Sequence, residues 1–150
     1  MIHVELQNAS TTPSSLPSEQ LLTLWATAAT RRENAEMVIR VVDKGESAEL
    51  NSQYRGKTGA TNVLSFPFIA PPGVETDILG DLLICAPIVE NEAQEQGKNP
   101  LAHWAHMVVH GVLHLQGYDH IDENEAVIME SEEIAIMNGL GFPNPYEEAD

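Results

Sequence analysis

The amino-acid sequence predicts an α+β fold in which one small twisted sheet of about four strands packs against helices. Three observations carry that expectation. Segments of strand character stop at about Cys85, whereas the chain from Pro87 onward reads as helix interrupted by glycines. Four strands are too few to close on themselves, so helices must cover their apolar faces. Finally, 150 residues suffice for one buried core and do not call for a second, so residues 1–150 are read as a single domain.

Taken in order, Ile2, Val4 and Leu6 alternate with His3, Glu5 and Gln7, the period-2 pattern of a half-buried strand. Ser10 to Ser15, rich in Ser, Thr and Pro, reads as a loop. Pro17 and Ser18-Glu19-Gln20 suit the first turn of a helix that runs through Leu21, Leu24, Trp25 and Ala28 and is expected to end near Thr30. Met37-Val38-Ile39-Arg40-Val41-Val42 is rich in β-branched residues and bounded by Asp43 and Gly45, so it is a buried strand, followed by a short helix from about Glu46 to Gln53. Gly56-Lys57-Thr58-Gly59 is turn chemistry leading into a strand at Asn62 to Phe66, which Pro67 keeps from extending as a central strand. A loop at Ala70 to Gly73 precedes a fourth strand, Gly80 to Ile84. Helices follow from about Pro87 to Gln96, Pro100 to Leu115 and Glu123 to Asn138, with Gly97, Gly117 and Gly139 as their stops.

Composition limits the function classes. Hydrophobic residues make up 43% of the chain and charged ones 20%, the balance of a globular protein. No basic cluster with a long apolar run opens the chain, and no stretch approaches the roughly 18 apolar residues of a membrane span, so neither export nor membrane insertion is expected. The lone Cys85 sits in an apolar run and reads as a buried small hydrophobe in a reducing compartment. A net charge of -16 argues against general affinity for a polyanion such as DNA. Every Lys and Arg nevertheless falls between Arg31 and Lys98, which leaves room for a small basic cleft near Arg55 and Lys57.

The densest chemistry lies in His110-Gly111-Val112-Leu113-His114-Leu115-Gln116-Gly117-Tyr118-Asp119-His120. Histidines four apart on a helix project from one face, so His110 and His114 can point a nitrogen at one metal ion. Gly117 turns the chain so that His120 can become a third ligand. Three neutral imidazoles leave zinc an open position at which the pKa of bound water falls to about 7. The zinc site is thus expected on this C-terminal helix and the loop after it. His106 lies about 12 Å along the helix axis from His114 and cannot share the ion with both. It and His103 read as helix-surface groups or as partners of the ligands. The spacing is also that of zinc proteases of the metzincin type, but those carry Glu after the first histidine, where this chain has Gly111. Asp81 and Asp119 are weaker candidates for a base or an orienting group.

Three segments together resemble a known family. Leu50-Asn51-Ser52-Gln53-Tyr54-Arg55-Gly56-Lys57, then Thr61-Asn62-Val63-Leu64-Ser65-Phe66-Pro67, and the histidine cluster after Leu79-Gly80-Asp81 are similar to the bacterial YbeY family of rRNA maturation factors, over about Arg40 to Tyr146. The resemblance implies a cytoplasmic, zinc-dependent, single-strand endoribonuclease acting in 3′-end maturation of small-subunit rRNA and in removal of defective ribosomes. Its partners would be rRNA and the small ribosomal subunit or its proteins. By position, His110, His114 and His120 match the family's zinc ligands and Arg55 its functional arginine. Many members carry Asp where this chain has Asn62. A guanidinium forks onto phosphate oxygens, which suits Arg55 to the scissile phosphate with Lys57 as a weaker helper, although a surface arginine at a helix end is the plainer alternative. Two other readings stay open: a zinc hydrolase of another substrate, and a non-catalytic ribosome-assembly factor whose zinc is structural. Three imidazoles also accept other divalent metals, and the oligomeric state is not legible.

Overall fold

The computed structural model describes residues 1–11, 16–119 and 121–147. The elements run β1 (Ile2–Asn8), α1 (Glu19–Ala29), β2 (Ala35–Val42), α2 (Lys44–Arg55), β3 (Val63–Pro67), β4 (Ile78–Cys85), α3 (Ala86–Glu95), α4 (Pro100–Leu115) and α5 (Glu123–Gly139). The α+β expectation is met: one four-stranded sheet of order β1-β2-β4-β3, with five helices. β1, β2 and β4 are mutually parallel, and β3 returns antiparallel along β4 at the edge. That edge position tolerates Pro67, which has no N–H to give a ladder.

Burial follows the topology. The central strands β2 and β4 are almost continuously apolar, as strands covered on both faces must be. Ile39, Leu82 and Ile84 from the sheet meet Leu22 and Trp25 of α1 and Val108, Val112 and Leu113 of α4 in the main core. Each such side chain contributes about 1.5–3 kcal/mol through burial. A smaller cluster of Val42, Leu64, Leu83 and Cys85, flanked by Leu50, forms a satellite core toward α2. Cys85 is fully buried, as expected of a core filler, and burial pushes its thiol pKa up. Among the described residues no helix is long and apolar enough to cross a membrane.

Two expectations about boundaries need correction. α2 runs from Lys44 to Arg55, longer at both ends than the Glu46 to Gln53 segment, and Gly56 at φ 65 ends it. Arg55 therefore belongs to the last helical turn. α5 passes through Gly139, and the left-handed residue is Gly141 at φ 89. The later glycine closes the helix because the next residue, Phe142, can then pack against the core and edge-on to Trp25. Of the Ser10 to Ser15 loop, residues 12–15 lie outside the described residues, as does His120.

Candidate metal centre and its cleft

The geometry of the site starts with α4. Asn99 caps it by accepting from the N–H groups of Leu101 and Ala102, and Pro100 follows in the first turn, where its missing donor is not needed. At the other end Gly117 takes φ 98, and the N–H of Tyr118 reaches the Leu113 carbonyl at 3.1 Å while that of Gly117 reaches His114 at 3.0 Å. This turn ends α4 and changes the direction of the chain at Gly117.

Along α4, His103, His106, His110 and His114 form a stripe of edge-to-face rings. The Nε2 atoms of His110 and His114 stand 3.1 Å apart. Two nitrogens bound to one tetrahedral zinc are about 3.3 Å apart, so this pair fits such an ion. Behind it lies Glu133 of α5, with no solvent exposure. One carboxylate oxygen accepts from His110 Nδ1, and the other meets His106 Nε2 at 3.3 Å and the Tyr146 hydroxyl. Burial alone would push the Glu133 carboxyl up. The hydrogen bonds from His106, His110 and the Tyr146 hydroxyl outweigh it and hold the pKa at about 2. Burial and then Glu133 push the Tyr146 hydroxyl far up, so it stays a donor.

Among the described residues, the group whose ligand atoms come close enough to hold a cation is His106, His110 and Glu133, within 4.8 Å of one another. The structure thus pairs His110 with His114 and adds His106 and Glu133 behind them. His103 and His106 are both buried, which corrects their reading as helix-surface groups. His103 donates to Glu92 at 3.0 Å, and burial, against the opposing pull of Glu92, pushes its pKa down.

Gly111 gives the physical reason this helix lacks the protease glutamate. A Cβ there would lie 2.7 Å from a methyl of Leu82 and 3.3 Å from Val63, so position 111 is pressed onto β4 and β3. A carboxylate at that position would be driven into the core. Gly80 is equally constrained: at φ 145, its Cβ would meet the Phe66 carbonyl at 2.3 Å.

The histidine pair opens on a cleft of about 1390 Å³ along the edge strand β3, which also holds Tyr54, Arg55, Lys57, Asp81 and Asp119. Arg40 at its margin is neutralised by a two-point ion pair with Glu46 at 2.6 and 3.0 Å. Arg55 and Lys57 make no ion pair among the described residues. Polar residues of α2 pin the loop after it: Asn51 donates to the Gly59 carbonyl at 2.9 Å, and Ser47 both donates to and accepts from Thr61. Tyr54 is 66% exposed and packs edge-on against Phe66. Leu82 faces α4, so its neighbour Asp81 points to the opposite face of the sheet, where burial and then Glu5 push its carboxyl up.

Sequence reasoning missed Glu133 and Tyr146. The signal for Glu133 is its place between Met129 and Met137, an acid in the middle of a buried stripe four residues apart.

Fold and site together define a class: an α+β protein whose helix carries a paired-histidine candidate metal centre to the open edge of its sheet. Comparison with known proteins narrows that class. The family described as Endoribonuclease YbeY matches residues 5–141, and this chain belongs to the YbeY family. A relative from Methylococcus capsulatus named Endoribonuclease YbeY is 66% identical over 148 residues, covering 99% of this chain and 97% of the relative. The solution structure of TM1509 from Thermotoga maritima is similar at a TM-score of 0.58 and 26% identity, over 100% of this chain and 97% of that one. The family match begins at residue 5, well before the motif-bearing stretch that starts near Arg40.

Proposed function

We propose that this chain is a single-domain, zinc-dependent, single-strand endoribonuclease of the bacterial cytoplasm that acts in 3′-end maturation of rRNA and in ribosome quality control. The observation that carries this reading is the His110–His114 nitrogen pair in one cleft with Arg55 and Lys57, neither of them ion-paired among the described residues. The name of the Methylococcus capsulatus relative supports RNA as the substrate class. His110, His114 and His120 would hold the ion, which when bound supplies a Lewis acid and a nucleophile usable at neutral pH. Arg55 forks onto the scissile phosphate and offsets the charge that grows there in the transition state, with Lys57 as a second positive point. The exposed ring of Tyr54 suits stacking by an unpaired base, which favours single strands.

A net charge of -16 supports a second reading, a non-catalytic assembly factor that docks on basic proteins of the small ribosomal subunit while zinc only ties its helices together. Cleavage of unstructured RNA by metal-free protein, with each divalent ion restored in turn and casein as control polymer, separates the two. Zinc is expected to restore RNA cutting and leave casein intact. His114→Ala is expected to lose the metal, and Arg55→Glu to keep it while cleavage falls about 10²- to 10³-fold. Full cleavage by Arg55→Glu would remove the arginine from the mechanism, and no cutting under any ion would favour the assembly factor.

A further inference from the structure

Glu133 has a cost that nothing in the fold requires. It is a carboxylate with no solvent exposure, and among the described residues neither Lys nor Arg pairs with it. A group in that position either neutralises or is fully hydrogen-bonded. Glu133 is hydrogen-bonded: His110 occupies one oxygen, and His106 with Tyr146 occupies the other.

The direction of the His110 bond matters most. A carboxylate oxygen set against Nδ1 accepts the proton carried there, so in the neutral, ligating form of the ring Nε2 keeps its lone pair. That lone pair faces His114 Nε2 at 3.1 Å. We infer that Glu133 is the positioning residue of the metal centre: it fixes the tautomer and ring orientation of His110, with Tyr146 and His106 holding the carboxylate in place. The inference rests on the reading of His110 and His114 as ligands. The competing arrangement, in which Glu133, His106 and His110 themselves grip the cation, would require Glu133 to give up donors that already occupy both its oxygens.

The arrangement also gives the chain's final segment a task. Tyr146 lies beyond α5, and the Lys98 ammonium anchors its neighbour by donating to the Pro145 carbonyl. The chain after Gly141 is thereby fastened across the back of the candidate centre, where its hydroxyl supplies the third donor to Glu133.

Zinc titration against a chromophoric chelator tests the inference on Glu133→Gln, Tyr146→Phe and His114→Ala, with circular dichroism as the check on folding. Glu133→Gln is expected to fold and to bind zinc about 10- to 100-fold more weakly. Tyr146→Phe should weaken it by a smaller factor, and His114→Ala should lose it. Nitrogen NMR of metal-free protein supplies a readout that a merely structural glutamate would not move. His110 should show one Nδ1–H tautomer, and Glu133→Gln a mixture of both. Unchanged zinc affinity in Glu133→Gln, or an Nε2–H tautomer in the unaltered protein, overturns the inference. If Glu133→Gln does not fold, Tyr146→Phe decides, and unchanged affinity there overturns it as well. Zinc retained by His114→Ala but lost by Glu133→Gln would instead sink the ligand reading beneath it and make Glu133 a ligand.

Discussion

His103 shows how much a single side chain can reveal about conditions. It is buried between α3 and α4, donates to Glu92, and has no partner for Nδ1 among the described atoms. Burial lowers its folded pKa below the ordinary 6.5, so the unfolded chain binds the extra proton first as pH falls. Its contribution is therefore complete above about 6.5 and is lost as pH drops from there toward the lowered folded value. Thermal melts of metal-free protein across this window are expected to show a falling midpoint, and His103→Gln, which keeps a donor but does not titrate, should flatten that limb. The same carboxylate explains the choice of Asn over Asp at position 62. The Asn62 amide donates to both oxygens of Glu92 at 3.2 and 3.3 Å, whereas an aspartate would meet like charge. At this scale the sequence spoke unevenly. The His110 and His114 spacing was readable because helical geometry alone makes the two converge. Glu133 was hidden because its donors come from α4 and from the chain after α5, a meeting that only tertiary packing creates.

Helices and strands were largely legible, since period and punctuation are local properties. Gly97 and Gly117 end their helices where the sequence suggests, because each is followed by a residue able to close the turn. Gly139 was misjudged because two glycines compete within three residues, and the choice between them rests on the distant Trp25. α4 is where element and function bind most tightly. Its Gly111 lets the helix lie against Leu82 and Val63, and that contact fixes how far the histidines stand from β3. Alanine at 111 would gain about 1 kcal/mol of helix propensity. Against this, its methyl would stand 2.7 Å from the fully buried Leu82, and such overpacking costs about 1–3 kcal/mol. Gly111→Ala is thus expected to lower the denaturant midpoint with the slope unchanged, which urea unfolding measures. A midpoint at or above that of the unaltered protein would mean the helix has slack against the sheet.

Across the whole molecule, which carries a net charge of -16, one cleft brings Arg55 and Lys57 together with His110 and His114. The α+β class followed from strand segments preceding helices, but the strand order did not, because nothing local tells β3 to return along the far side of β4. That return is what places Arg55 and the histidines on one rim. The two walls of the rim are held very differently. α4 buries eleven of its sixteen residues, whereas α2 buries only Ser47 and Asn51, both polar, above a small satellite core. Amide hydrogen exchange is expected to follow that contrast, with α2 opening through sub-global fluctuations well before α4. Equal protection of both helices would refute this ordering. The consequence is an order of failure on warming: the wall that carries Arg55 loosens first, while the histidine wall keeps its form. On the proposed reading, a moderately heated sample would then retain its ion yet release RNA, so inactivation by heat would begin as a reversible loss of affinity and only later become loss of the fold.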